Sequence, residues 1–339
     1  MRPLLVSVCL LSAGCAGVHQ SAVDAAGPQA GRIAALWWFF LALLGVIFVV
    51  VIAFTFWALL RRGRGIDTES IEQLHIAPSA TEHRLTWVVG TATAATVLIL
   101  LLLLVVSVST GKAVAELGNK QKGLVVEVTG NQWWWYVRYL NDDASRIVVT
   151  ANEIHIPVGR PVMIRETSND VIHSFWVPNL HGKRDLIPSR VTTEWIEAAH
   201  PGRYRGQCAE FCGLQHAHMA IWVVAEPERQ FEAWMNHQLQ PAAAPSNADQ
   251  ERGQQIFLSH ACVLCHTISG TPAAGSAGPD LTHVGSRSTL AAGTLANTKG
   301  NLASWVRDPQ TIKPGNHMAV VPLRSEEIQP LADYLESLQ

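Results

Sequence analysis

Between His173 and Met219 the chain gathers soft donors: His173, then Cys208-Ala-Glu-Phe-Cys212-Gly-Leu-Gln-His216-Ala-His-Met219. Thiolate, thioether and imidazole together suit copper, and a mononuclear blue-copper site uses one Cys, two His and a weak Met. Here a second thiolate lies four residues beyond the first, and the surplus sulfur argues for two coppers. With both sulfurs bridging the pair, His173 closes one metal and His216 the other, leaving Met219 and a backbone carbonyl for the weak positions. Two plainer readings are a Cys208–Cys212 disulfide and a structural zinc site of Cys and His. Neither needs Met219 or the distant His173.

A second set lies further on. Cys262-Val-Leu-Cys265-His266 has the C-x-x-C-H spacing by which c-type haem is attached. Both thiols would form thioethers to the haem vinyl groups, and His266 would ligate the iron. A zinc or thioredoxin-like reading of the two cysteines leaves His266 unexplained. Ala248 to Phe257 is a helical run ending at the motif, as in class I cytochromes c. Gly278-Pro279-Asp280-Leu281 resembles the haem-packing loop of that class, where the proline carbonyl orients the proximal histidine. Lys313-Pro314-Gly315-Asn-His-Met318 resembles its distal loop. Met318, the only methionine in residues 246–339, is the expected second axial ligand. His317 beside it would instead give bis-His ligation at a lower potential.

The elements that must position these residues begin in a membrane. The chain has 339 residues, 48% hydrophobic and only 15% charged, room for two or three domains with a membrane-leaning composition. Residues 36–60 and 87–108 carry no charge and are each long enough to cross a bilayer. The loop between them holds Arg61, Arg62 and Arg64 and ends with His83-Arg84, whereas only Arg32 lies close before the first span. Positive charge places that loop in the cytoplasm, and everything after about residue 110 on the outer side. Residues 1–15 read as a signal peptide, with Ser12-Ala13-Gly14-Cys15 resembling a lipoprotein cleavage box in which Ser12 takes the usual place of Leu. Cys9 and Cys15 fall in that segment, so the six cysteines require no disulfide framework.

From residue 124 short alternating runs follow: Leu124–Thr129, Arg146–Thr150, Glu153–Pro157, Pro161–Arg165 and Thr192–Ile196. Gly, Pro and Asn turns separate them, the signature of a β-sandwich. One histidine after an early strand and the other donors in a late loop is the order found in cupredoxins. Ala217 to Ala225 reads as a returning strand, and Pro227 to His237 as a helix with Phe231, Trp234 and Met235 on one face. Gln240 to Asn247 has linker composition. Beyond it, Ile328, Leu331, Tyr334 and Leu335 share one face of a helix over Ser325–Leu338 that would pack over the haem.

The copper-ligand spacing, with Gly130-Asn-Gln-Trp133-Trp134-Trp135-Tyr136 upstream, resembles subunit II of the haem-copper oxygen reductases, cytochrome c oxidase in particular. The resemblance implies a multidomain chain: a two-helix transmembrane hairpin over 30–110, a β-sandwich cupredoxin domain over 120–239, a linker at 240–247 and an all-α class I cytochrome c domain over 248–339. It implies a binuclear copper centre (CuA) held by His173, Cys208, the Glu210 carbonyl, Cys212, His216 and Met219, with Trp133 as the point where electrons enter. The Glu210 side chain would help hold magnesium at the boundary with subunit I. Covalent haem c on Cys262, Cys265, His266 and Met318 marks the caa3 type, a proton-pumping oxidase of the bacterial inner membrane. Both redox domains would be periplasmic. The route runs from a donor, such as a cytochrome c or a quinol–cytochrome c reductase complex, through haem c and the copper pair to subunit I, with subunit III a further partner. Asp170 and Asp185 also fit family positions, as carboxylates that could simply support the ligand strand. Arg84, three residues before Trp87, stands where many members have a Glu at the mouth of a proton path; Glu82 is displaced from it.

Within Trp133-Trp134-Trp135 a plainer reading is strand packing, which best suits Trp134. A CuA-containing nitric-oxide reductase would share these centres, and a membrane-anchored carrier acting alone would need no large partner. A quinol oxidase subunit would lack the copper ligands. Residues 246–339 hold eight acidic and six basic side chains without a one-sided run, so capture of a basic donor by charge is not evident. A net charge of −2 gives no support for nucleic-acid binding.

Overall fold

A computed structural model of the chain describes residues 20–61, 79–117 and 123–339. The signal segment with Cys15, and Arg62 and Arg64, lie outside the described residues. Two long helices come first, α1 (Pro28–Arg61) and α2 (Ser79–Leu117). Both are long and apolar enough to cross a membrane and extend beyond the stretches 36–60 and 87–108. Consecutive exposed residues such as Phe48 to Ile52 show that α1 is apolar all round, as a helix facing lipid must be.

The redox part of the chain starts with a β-rich body. Its strands are β1 (Leu124–Asn131), β2 (Trp134–Leu140), β3 (Val148–Ala151), β4 (Glu153–Pro157), β5 (Val162–Ser168), β6 (His173–Phe175), β7 (Arg184–Leu186), β8 (Thr192–Ile196), β9 (Gly202–Gln207) and β10 (Ala220–Glu226). They form a five-stranded sheet in the order β3-β2-β1-β5-β8, a three-stranded sheet in the order β4-β10-β9, and the β6-β7 pair. Strict alternation of buried and half-buried residues along β2 and β5 gives one face to the core. That core joins Val126, Val128, Trp135, Val137, Ile164, Ile221 and Val223 across the two sheets. Helix α3 (Glu228–Gln238) closes it with Phe231, Trp234 and Met235, the face expected from their spacing. Burial pushes up the carboxyls of Glu166 on β5 and Glu194 on β8, the latter to about 8.

The tryptophan run straddles a hairpin turn that the sequence did not place. β1 and β2 form a hairpin with Asn131 paired to Trp134, so Gln132 and Trp133 make the turn. Alternation therefore begins at Trp134, which faces outward and is half-buried, and Trp135 is the fully buried core residue. The segment after His216 also differs: His216–His218 is a single helical turn, and the strand starts only at Ala220.

The C-terminal part is helical: α4 (Ala248–Ser259), α5 (Cys262–Cys265), α6 (Lys299–Arg307), α7 (Pro309–Ile312) and α8 (Ser325–Ser337), with a two-residue ribbon between α5 and α6. Asn247 caps α4 by accepting from the Gln250 amide, which fixes where the linker stops. α4 and α8 approach so closely at Gly253 that a Cβ there would lie 2.1 Å from the Pro330 carbonyl oxygen. Ile256, Phe257, Leu331, Tyr334 and Leu335 form the centre of this second core.

Candidate copper and haem sites

The copper candidates sit on one edge of the sandwich. His173 opens β6 and is fully buried. Its Nε2 lies 2.8 Å from Asp170 Oδ1, and its Nδ1 points to Cys208 Sγ at 3.8 Å. The Gln132 and Val171 amides donate to Asp170, at 2.6 and 2.7 Å, and hold the carboxylate in place. Burial pushes the Asp170 carboxyl up, but these bonds and His173 outweigh it and leave the group below its ordinary range. On His173 burial works downward, and the bonds to Asp170 and Cys208 carry its titration above the usual value. Gly130 lets the backbone run against the ring, since a Cβ would come within 2.6 Å of His173 Cδ2.

The other donors come from the loop between β9 and β10. The Cys208 amide donates to the Met219 carbonyl at 2.9 Å and closes that loop, while Ala209 N donates to Ser174 O and ties it to β6. Trp133 Nε1 and Gln132 Nε2 both donate to the Cys212 carbonyl, at 2.9 and 2.8 Å. Gly213, at φ +109°, has the left-handed backbone that suits glycine, and a Cβ there would press on the Trp133 ring at 3.1 Å.

The donor atoms converge in pairs. Cys208 Sγ and Cys212 Sγ are 3.7 Å apart, far beyond the ~2.05 Å of a disulfide, and both thiols are free. His216 Nδ1 lies 3.6 Å from Cys212 Sγ, Met219 Sδ 3.9 Å from the same sulfur, and the Glu210 carbonyl oxygen 3.2 Å from Cys208 Sγ. The two imidazoles thus stand on different sulfurs. His173, Cys208 and Cys212 bring donor atoms within 4.8 Å of one another. The hydrogen bond between the two thiols couples them: with help from His173 it brings Cys208 down to about 3, and it pushes Cys212 far up. A soft donor set with imidazoles at opposite ends fits two copper ions better than one tetrahedral zinc.

The haem candidates are local in sequence. The Cys262 and Cys265 thiols are free, the first half-buried and the second exposed. His266 Nδ1 donates to the Pro279 carbonyl at 2.7 Å, which leaves Nε2 free for a metal. Gly278 supports this cradle: a Cβ would stand 2.7 Å from His266 Cε1. Burial depresses the titration of His266, with the Pro279 bond opposing. Met318 is half-buried, its amide donating to Asn316 Oδ1 and its carbonyl accepting from Gln310 Nε2, each at 2.8 Å. His317 is exposed and its ring centroid lies 5.7 Å from that of Trp133. The residues present therefore fit both implied groups.

Two residues add to the set read from sequence. Asp170, weighed there as a supporting carboxylate, orients His173. Lys313, seen there only as part of a loop motif, is buried and donates to three carbonyls: Trp133 O at 2.8 Å, His218 O at 2.7 Å and Ala291 O at 3.1 Å. Burial pulls its ammonium down to about 7 against the attraction of Cys212. No local signal marks it, because a lone lysine in a loop ordinarily faces water.

Comparison with known proteins bears on the whole chain. The family described as cytochrome C oxidase subunit II, periplasmic domain, matches residues 138–226, and the cytochrome c family matches residues 250–339. The chain is 34% identical to cytochrome c oxidase subunit 2 of Alkalihalophilus pseudofirmus, over 97% of its own length and 94% of the relative's. It is 33% identical to the corresponding subunit of Bacillus sp. strain PS3, over 67% and 66%. The crystal structure of the periplasmic domain of subunit II of cytochrome oxidase from Bradyrhizobium japonicum is 30% identical, covering 35% of this chain and 95% of that one with a TM-score of 0.33. The matched periplasmic domain and the two long apolar helices describe a membrane-anchored protein with an outward domain. A copper-type domain implies CuA, and the domain fused behind it implies haem. With one relative matched almost end to end and both domains present in order, the chain belongs to the cytochrome c oxidase subunit II family, one subunit of an oxidase complex that also contains subunit I.

Proposed function

We propose that this chain is the subunit through which electrons enter a caa3-type cytochrome c oxidase. The observation that carries the reading is the pairing of donors, His173 on Cys208 and His216 on Cys212, with Met219 beside the second sulfur. When bound, the copper pair and the covalent haem supply reversible one-electron chemistry with no open position for a substrate. Cys208, Cys212, His173, His216, Met219 and the Glu210 carbonyl would hold the copper pair. Asp170 accepts a hydrogen bond from the Nε2–H of His173 and so keeps Nδ1 free and turned toward the metal, a support that metal-bound histidines commonly have. Cys262, Cys265, His266 and Met318 would hold the haem.

Electrons arrive at the cytochrome c domain (248–339), cross to the copper domain (120–239) near Trp133, and leave toward subunit I past His216. The linker at 240–247 keeps the first two domains at high effective concentration, so no diffusional docking step separates them. Glu210, which is exposed, offers its carboxylate to a magnesium site completed by subunit I. The hairpin (30–110) sits in the bacterial inner membrane as a multi-pass anchor, both redox domains are periplasmic, and subunit III and a cytochrome c or quinol–cytochrome c reductase donor complete the assembly.

Purification of the complex tests this reading. The expected result is two coppers and one haem c per chain, a mixed-valence copper signal in electron paramagnetic resonance, and oxygen consumption by the associated subunits. Copper that binds without a mixed-valence signal sinks it. Met219→Leu should keep both thiolates yet shift the copper spectrum and potential, and unchanged spectra would strike Met219 from the ligand set.

A further inference from the structure

The cytochrome c domain touches the copper domain at more places than its linker requires. The Ala220 amide of β10 donates to the Ala292 carbonyl at 2.9 Å. Ser288 Oγ donates to Glu153 Oε2 on β4 at 2.7 Å. Gln215 Nε2 donates to the Pro314 carbonyl at 2.6 Å, and Gly315 packs so near Leu214 that a Cβ would sit 2.6 Å from Leu214 Cδ2. Lys313 lies at the middle of this contact. Among the described residues it is the most buried lysine or arginine, 2% exposed. Two of its three acceptors, the Trp133 and His218 carbonyls, belong to the copper domain.

We propose that Lys313 is a positioning residue that fixes the register in which the loop 313–318 docks on Trp133, so that the electron crosses from one defined arrangement rather than from a domain swinging on its linker. An ammonium has three N–H donors and no acceptor, and burying it without partners is strongly unfavourable. The carbonyls at 133, 218 and 291 satisfy it in this register. A slipped dock would bury the same charge with acceptors missing, so the lysine acts against wrong arrangements more than it adds affinity. What it holds is close to both centres: Trp133 Nε1 donates to the Cys212 carbonyl, and Met318 follows Lys313 by five residues in the same loop.

This inference rests on the electron route proposed above. In the step concerned, one electron leaves the reduced haem and is gained by the oxidised copper pair, with no bond made or broken and no proton required. The test uses the intact oxidase complex carrying Lys313→Met or, as a second variant, Gln215→Leu. Two quantities are read: the haem-to-copper rate after photoreduction of the haem, and hydrogen exchange at the Ala220 amide, which crosses the interface and reports docking without reference to either metal. Misplacement of reacting groups by about 1 Å can lose about 10²-fold, and a fall of about ten-fold or more is expected in Lys313→Met, with haem and copper spectra unchanged. Ala220 exchange should quicken by a similar factor, and both effects should be smaller in Gln215→Leu. Wild-type rate and wild-type exchange in both variants overturn the proposal. If Lys313→Met does not assemble, Gln215→Leu decides alone by the same two readings. If the wild-type complex passes no electron between the centres, the route fails, while Ala220 exchange still decides for or against the clamp.

Discussion

The copper and haem candidates are built in opposite ways. Copper donors come from two separated stretches, His173 and 208–219, held by a third at 130–133 and brought together by a closed β core, and His173, Cys208, Cys212 and Met219 are all but fully buried. The haem motif is one short run, 262–266, with Cys265 exposed and Leu264 73% exposed beside it. The copper donors are thus set within a closed core of the protein's own side chains, whereas the haem motif lies on a small helical domain with a smaller core. The contrast predicts that the copper domain folds without its metal and that the haem domain depends on its prosthetic group.

The sharpest way to break that contrast is to withhold each group in turn. Replacing Cys262 and Cys265 by alanine should abolish the covalent haem spectrum and remove the cooperative calorimetric transition of the C-terminal core, because ligand binding to the native state is lost as a source of stability. Copper depletion of the same chain should leave the sandwich transition in place at a lower temperature. A haem-free C-terminal domain that still melts cooperatively would undo the distinction.

A finer probe is Asp170→Asn. The amide can still hydrogen-bond His173, but it no longer supplies the charge that holds Nε2 protonated and Nδ1 aimed at the sulfur. Loss of such an outer partner typically weakens metal binding about 10–100-fold, and competition with a copper chelator would measure it. Unchanged affinity would mean that packing against Gly130 and Trp135, rather than the carboxylate, orients the ring.

Much of this was legible in the sequence because soft ligands at metal spacing have few other uses, and the C-x-x-C-H run is contiguous. The sandwich and the terminal helices followed from periodicity. Strand β9, Gly-Arg-Tyr-Arg-Gly-Gln, was not visible because it carries little apolar alternation and forms by pairing with β10. Strands β6 and β7 have three residues each, too few for any period to register. Which of Trp134 and Trp135 faces the core was not legible, because it depends on the position of the hairpin turn, and a one-residue shift exchanges the two faces of a strand. The contact centred on Lys313 was illegible for a different reason: its acceptors are backbone carbonyls, which every residue has.

The smallest expected effect concerns the copper domain alone, and it asks whether a preorganised fold also carries its own pH limits. His155 on β4 is buried with Nε2 3.0 Å from Glu153 Oε1 and Nδ1 3.2 Å from Glu226 Oε2, and Trp234 of α3 stacks on its ring at 4.1 Å. Burial alone would depress its titration, but the two carboxylates outweigh it and raise the imidazole above its ordinary value of 6.5. Its stabilising contribution is then complete below 6.5 and is lost as pH rises through the higher folded value. Glu153 has the opposite sense. Burial pushes it up, yet hydrogen bonds from His155 and Ser288 leave it below 4.5, so its contribution is complete above 4.5 and is lost as pH falls through the folded value. The sandwich should therefore melt highest on the mildly acidic side and lose a few degrees between about pH 6 and about pH 8, where histidines titrate. His155→Gln should make that alkaline limb shallower in calorimetry, leaving its remainder to the raised carboxyls of Glu166 and Glu194 and the acid limb to Glu153. An undiminished alkaline slope in the variant would assign the loss to other groups and leave the His155 ring with a packing role against Trp234.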